Sequence, residues 1–357
     1  MNESRPYLTL QTIALPFLAL AAATAFFYFA SPIVIPILLA ISLAYVLSPA
    51  VWFFQKLKIP HTVSIIIVLL VTLVVVGWVG YFLSAQANDL FQDLPQYWEG
   101  FLLLLSELKS DLIQRGIISD TGELDVTEFQ FKDFSGVTRY MVKGITSVVS
   151  FAFGLVLVMF LTFFMLADQK IIKRKLVTAF GKSESGVAEN ILTEISEQIR
   201  NYVLTKFLVS AALGVVLTIW FLIIGVNYAY IWGPLAGFLN LVPYIGPVIG
   251  LFPPLIVGAI QFKAIMPVVW ILIAYVATQS VEGNYITPKL IGERVNLSPL
   301  AVLAAVMYWT WLWGAIGIIL AIPITAAIKI ICDHIDSLRP IGVILGGKKD
   351  LEREWSS

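Results

Sequence analysis

The chain has 357 residues, 59% hydrophobic and 13% charged, with 23 Lys and Arg balancing 23 Asp and Glu and a mean hydropathy of +0.89. A soluble domain is about 45–50% apolar and about 25% charged, so this composition describes a polytopic membrane protein of all-α class. Zero net charge with no basic arm gives no reason for a nucleic-acid partner, a lone Cys332 excludes an internal disulfide, and His61 and His334 lack the spacing of a zinc site, so neither metal nor cofactor is expected.

Five segments are long and uncharged enough to cross a bilayer: 11–30, 32–54, 62–86, 145–167 and 207–226. A sixth, 264–281, stands near the lower limit of about 17 residues. The small-residue run "ALAAATA" at 19–25 has the look of a signal cleavage site, but apolar sequence resumes at Phe26 and only Arg5 precedes it, so the segment reads as a retained span. Lys56 and Lys58 follow the second span, and Lys170, Lys173, Arg174 and Lys175 follow the fourth in "DQKIIKRKL". Both loops are expected on the cytoplasmic side, with the N- and C-termini. Segment 87–144 carries ten acidic against five basic residues and is expected outside.

That outer segment opens with an amphipathic helix at 94–116, read as lying in the interface or touching a second subunit. On the cytoplasmic side, Val187, Ile191, Ile195, Ile199 and Val203 recur every four residues, one apolar stripe on a helix that feeds the fifth span. "FGKSESG" at 180–186 ends like a phosphate-binding loop, but Leu176 stands where the first glycine is needed and no strand precedes it. A helix break capped by Ser183 or Ser185 explains it better. With no ATP-hydrolysing motif in view, uphill transport would draw on an ion gradient.

The stretch "LNLVPYIGPVIG" at 239–250 places two prolines, two glycines and a tyrosine in its last eight positions, inside a run with no charge. From Ile231 to Val242 the chain offers roughly 18 Å of helix, too little for a hydrocarbon core of about 30 Å, and Val248 to Ile260 offers a similar length. Two half-helices joined at "PYIGP" make a re-entrant hairpin, whose broken backbone is tolerable at that depth only against protein or a wet cavity. Asn240, Pro243, Tyr244, Gly246, Pro247 and Gly250 are its candidate substrate-path residues. A second uncharged run, 297–328, is broken at "WTWLWGAIGIILAIP", giving Pro299, Trp311, Gly314, Gly317 and Pro323 as a second candidate set. Both runs begin Pro-Leu-Ala and each follows an uninterrupted span, so the C-terminal half reads as an inverted repeat of span and hairpin, or as eight short spans in all. The chain then divides into 1–86, N-terminal transmembrane helices; 87–144, extracytoplasmic; 145–167, a transmembrane helix; 168–203, a cytoplasmic amphipathic connector; 204–332, a transport core; and 333–357, a cytoplasmic tail.

Between the two hairpins lies a polar linker, "TQSVEGNYITPKLIGERVNLSP", with Gln279, Glu282, Asn284, Pro288, Lys289, Gly292 and Arg294 as candidates. A carboxylate at membrane depth is expensive and therefore a functional candidate; the competing reading places Glu282 at the interface, paired with Lys289 or Arg294. Asn240 likewise reads either as a site residue or as a helix–helix hydrogen bond.

"LNLVPYIGPVIGLFPP", "EGNYITPKLIGERVNLSPL" and "WTWLWGAIGIILAIPITAAIKI" resemble the signature regions of the AI-2E family of bacterial membrane transporters, also called the PerM or UPF0118 family. The matching motif positions are Asn240, Pro243, Gly246, Pro247, Asn284, Pro288, Gly292, Pro299, Gly314, Gly317 and Pro323. The resemblance implies a homo-oligomer of the bacterial inner membrane, in a family named for export of the quorum-sensing signal autoinducer-2, with other relatives credited with sodium/proton exchange. A secondary transporter of a small organic solute is the first expectation and a Na+(K+)/H+ antiporter the second. An intramembrane enzyme is not expected, since no nucleophile or metal motif occurs.

Overall fold

The computed structural model describes residues 10–115, 153–179, 185–291 and 297–347. The described residues are almost entirely helical, as the long apolar runs require, because within a bilayer a helix satisfies its own backbone. In chain order they form α1 (Leu10–Phe29), α2 (Ser31–Lys56), α3 (His61–Gln114), α4 (Phe153–Ala167), α5 (Gln169–Ala179), α6 (Ser185–Ile224), α7 (Ala229–Leu239), α8 (Ile245–Phe262), α9 (Ile265–Val281), α10 (Thr287–Ile291), α11 (Pro299–Trp313), α12 (Ala315–His334) and α13 (Arg339–Leu345). Six helices are long and apolar enough to cross a membrane, or seven if α4 and α5 count as one broken span. The acidic outer stretch, the start of the fourth span, the Gly-Lys-Ser loop at 180–184 and the end of the tail lie outside the described residues.

Two helices are longer than the sequence reading anticipates. The third span does not stop near 86: α3 runs on for 54 residues, about 81 Å, through Pro95 to Gln114, so the amphipathic segment at 94–116 is its continuation and not a separate helix. Likewise the apolar stripe at 187–203 and the fifth span are one 40-residue helix, α6, in which Ile191, Ile195, Ile199 and Val203 are all half-buried. Between them, α4 meets α5 at 78°, turning the basic segment away from the direction of the span.

The chain divides into two compact units. One contains 1–49, 156–200 and 295–357; the other contains 50–155 and 201–294. In the second, the core gathers Leu213, Leu217 and Phe221 from α6, Ala229, Trp232 and Ala236 from α7, Val257 from α8, and Ile271 and Tyr275 from α9. The i, i+4 spacing on each helix puts these side chains on one face, while Val74, Trp78, Tyr81 and Ile223 on the outer faces stay exposed, as lipid-facing residues do. α6 and α7 approach closely through small residues: a Cβ on Gly233 would stand 1.9 Å from Thr218 Oγ1, and one on Gly237 2.6 Å from the Ser210 carbonyl. Gly233 and Gly237 are four apart, and so are Ser210, Gly214 and Thr218 opposite them, the small-xxx-small pattern that lets membrane helices touch backbone to backbone.

In the first unit, α1 packs on α11. The Trp313 indole donates to the Phe27 carbonyl at 3.0 Å, satisfying one of the acceptors left over at the end of α1, and Phe27 sits edge-on to Trp309 and Trp313. α11 and α12 form an antiparallel pair whose open end is closed by the Leu297–Gly346 bridge and the Ser298 N–H to Leu345 carbonyl bond.

Candidate functional site

α7 and α8 form the hairpin that "PYIGP" foretold, with uneven arms of 11 and 18 residues, about 16 and 27 Å. Its two ends meet. Gln261 accepts from the Asn227 backbone N–H at 2.8 Å and donates to the Gly225 carbonyl at 2.7 Å. The extension of α3 braces this open end: Tyr228 donates to the Asp93 carboxylate, Asn227 donates to the Tyr97 hydroxyl at 2.9 Å, and Gly100 lies against Ile260. Burial, and then the hydrogen bond to Asp93, push the Tyr228 hydroxyl above the usual tyrosine range.

The tip is set by three residues. Tyr244 carries a positive φ of 64°, an uncommon backbone for an aromatic residue, and its ring points outward. Gly246 is not left-handed; it is there for close approach, since a Cβ would stand 1.8 Å from the Leu239 carbonyl oxygen. Pro247 does not stop a helix, as sequence alone implies, but sits in the first turn of α8, where no N–H partner is needed. Tyr228, Tyr244 and Lys263, at the start, tip and end of the hairpin, all have positive φ, a conformation that persists only where the surroundings enforce it.

Asn240, the C-cap of α7, is 1% exposed and turned inward. Its Nδ2 donates to Ser210 Oγ at 3.2 Å and reaches Glu282 Oε1 at 3.4 Å. Glu282 follows directly on α9 and opens a five-residue π turn, 282–286. Pro288, which has no N–H for the Asn284 carbonyl, follows two residues after the turn, and short π turns of this kind are frequent at functional sites. Glu282 is 7% exposed and its Oε1 accepts from Lys206 Nζ at 3.1 Å and from Thr287 Oγ1 at 2.7 Å as well as from Asn240. Among the described residues no donor is placed on Oε2. Lys206 and Ser210 are one turn apart on α6 and both are buried. A hairpin tip, two helices and a π turn thus converge on one carboxylate oxygen.

Of the two sequence readings of Glu282, one made it a functional carboxylate at membrane depth and the other an interfacial partner of Lys289 or Arg294. That pairing is corrected here: Glu282 is buried and paired with Lys206, Lys289 is exposed, and Arg294 and Gly292 lie outside the described residues. Asn240 makes the helix–helix hydrogen bond of its second reading, to Ser210 on α6. Lys206, Ser210 and Thr287 were missed, although a lysine at the mouth of the fifth span, one helical turn before a serine, was a usable signal. Gln279 and Tyr275 extend the polar face along α9, one and two turns before Glu282. The Gln279 side chain, one helical turn on, interacts with the Tyr275 hydroxyl, and Gly250 on α8 leaves room for that hydroxyl, since a Cβ there would stand 2.6 Å from it. Asn284 and Pro288 are exposed.

The second hairpin, α11 and α12, repeats the device of the first within its own unit. Gly314 makes the turn with φ 62°, and a Cβ on Gly317 would stand 1.8 Å from the Trp309 carbonyl oxygen, the counterpart of Gly246 against Leu239. Pro299 is the first residue of α11, Pro323 is buried inside α12, and Trp311 is exposed, while Trp309 and Trp313 fill the core. No group of three or more potential metal ligands occurs among the described residues.

Comparison with known proteins places this architecture. The family profile described as AI-2E family transporter matches residues 17–337. A Haemophilus influenzae protein named only by transport is 30% identical over 332 residues, 90% of this chain and 92% of its own. A Borreliella burgdorferi protein, also named only by transport, is 26% identical over 319 residues, 88% of this chain and 85% of its own. The AI-2 transport protein TqsA of Escherichia coli K12 is 25% identical over 326 residues, 91% of this chain and 92% of its own.

Proposed function

The chain belongs to the AI-2E transporter family, and we propose that it is a secondary transporter carrying a small organic solute out across the bacterial inner membrane, a quorum-sensing signal of the autoinducer-2 type being the first candidate cargo. The observation that carries this reading is Asn240: the tip of a broken, strained hairpin is bonded to a buried carboxylate, so movement of the hairpin and the state of Glu282 are linked. Neighbouring Tyr275 OH and Gln279 Nε2, which interact with each other, offer hydrogen bonds to a hydroxylated neutral solute. In this reading both hairpins are re-entrant, both termini are cytoplasmic and the protein works as a homo-oligomer.

A second reading, a Na+(K+)/H+ antiporter, is favoured by one feature: Glu282 is a carboxylate buried among spans, the group such exchange needs. Counterflow in proteoliposomes separates the two. Uptake of an uncharged furanone, stimulated by an imposed ion gradient, supports the first; acidification driven by sodium alone, with no furanone uptake, replaces it with the second.

A further inference from the structure

We infer that α5 is a docking surface for anionic phospholipid, with Arg174 and Lys175 holding the phosphodiester headgroups of the bilayer that the protein spans. The helix leaves the apolar α4 at 78°, and transmembrane helices tilt on average by about 20°, so α5 runs closer to the membrane plane than to its normal. The bend delivers a basic helix to the headgroup layer.

Sequence supplies the charge. The helix "QKIIKRKLVTA" carries Lys170, Lys173, Arg174 and Lys175 and no acid, with Asp168 just before it. Lys173 is spent within the protein: it is half-buried, and its Nζ donates to Thr193 Oγ1 on α6 at 2.9 Å. That bond sets how α5 is turned about its axis. Ile171, Arg174, Lys175 and Thr178 fall at i, i+3, i+4 and i+7, share the opposite, exposed face and line a shallow recess of about 510 Å³.

The chemistry of that face selects its occupant. Among the described residues no carboxylate pairs with Arg174 or Lys175. Thr178 donates its hydroxyl proton to the Arg174 carbonyl at 2.8 Å, so the side-chain donors left on the face are the guanidinium and the ammonium. A guanidinium fork matches two phosphate oxygens, and an ammonium adds a point charge. Ile171, 51% exposed, lies between the two cations around the helix, and Leu176 on their flank is 45% exposed. A free phosphate would leave both apolar side chains in water, whereas a phospholipid covers them with its acyl root while its phosphate meets the cations.

The proposal does not rest on the transport reading, and no flux enters its test. The full-length purified protein in an uncharged detergent is titrated with phosphatidylglycerol or with phosphatidylcholine, and bound lipid is counted by native mass spectrometry. The wild type is expected to bind phosphatidylglycerol in preference to phosphatidylcholine. Arg174→Gln with Lys175→Gln is expected to lose about tenfold or more in apparent affinity for phosphatidylglycerol, since each cation near an anionic lipid surface contributes several-fold. Exchanging the two cations, Arg174→Lys with Lys175→Arg, is expected to keep most of the binding and to show that a loss in the Gln pair is not a loss of fold. Lys56→Gln with Lys58→Gln removes the same charge from another exposed loop and is expected to leave binding unchanged. Excess inorganic phosphate is expected to leave the lipid in place. Equal binding of the two lipids by the wild type overturns the proposal, as do an unaffected Gln pair, an equal loss in the Lys56 and Lys58 pair, or displacement of the lipid by inorganic phosphate.

Discussion

Asn227 and Gln261 stand 34 positions apart in sequence, and the amide of Gln261 bridges from the Asn227 backbone N–H to the Gly225 carbonyl. The bond joins the two ends of one hairpin, which a single kinked helix over the same residues would hold a full helix length apart.

Topology follows from that bond. On a Cys332→Ser background, cysteines replacing Tyr230 and Ile265, both exposed and one at each end of the hairpin, are expected to react with an impermeant thiol reagent from the same side of the membrane. The loop charges make the outer side the expected one. Labelling of the two from opposite sides would mean that residues 229–262 cross the membrane once.

The buried pair sets an expectation for stability and for flux. Glu282→Gln leaves the Lys206 ammonium buried with no opposite charge and is expected to cost about 3–5 kcal/mol, read as a fall in Tm. Adding Lys206→Met removes the stranded charge, so the double variant is expected to recover most of that stability while still failing to transport in counterflow. A double variant that transports like the wild type would take the pair out of the mechanism.

Glycine substitutions should grade by the space around them. Gly237→Ala drives its methyl to 2.6 Å from the Ser210 carbonyl and 2.9 Å from the Gly214 backbone, three residues before Asn240. It is expected to destabilise by about 1–3 kcal/mol and to lower flux by moving Asn240 off Glu282. Gly246→Ala and Gly317→Ala, each 1.8 Å from a carbonyl oxygen, should be worse in expression and Tm. Gly283→Ala, with nothing within 4 Å, is the benign control. Equal effects at 283 and 237 would refute the close-approach account.

At the braced open end of the hairpin, Tyr228 resists ionisation in the folded state because of burial and of Asp93. Its folded pKa is raised, so the stability it contributes is complete below the unfolded tyrosine value of about 10 and declines as pH rises beyond that value, where the unfolded chain releases a proton that the folded one keeps. Tm is expected to drop less steeply above about pH 10 in Tyr228→Phe than in the wild type, at the cost of a lower Tm at neutral pH. Identical alkaline profiles would show that the hydroxyl contributes nothing there.

Hydropathy, loop charge and the placement of proline and glycine are local properties, and they determined the membrane class and both broken segments and singled out Asn240 and Glu282 as uncommon polar groups in apolar surroundings. What it could not decide was partnership. Lys206 lies 76 positions before Glu282, and the 3.6-residue period reports which face of a helix is buried without saying which other helix covers it. The nearer cations, Lys289 and Arg294, were the natural sequence choice for that carboxylate, but Gly233 and Gly237 bring α7 so close to α6 that Asn240 meets Ser210 and both Asn240 and Lys206 come within reach of Glu282. Packing of three helices against one another, and no property of any one of them, put the charge there.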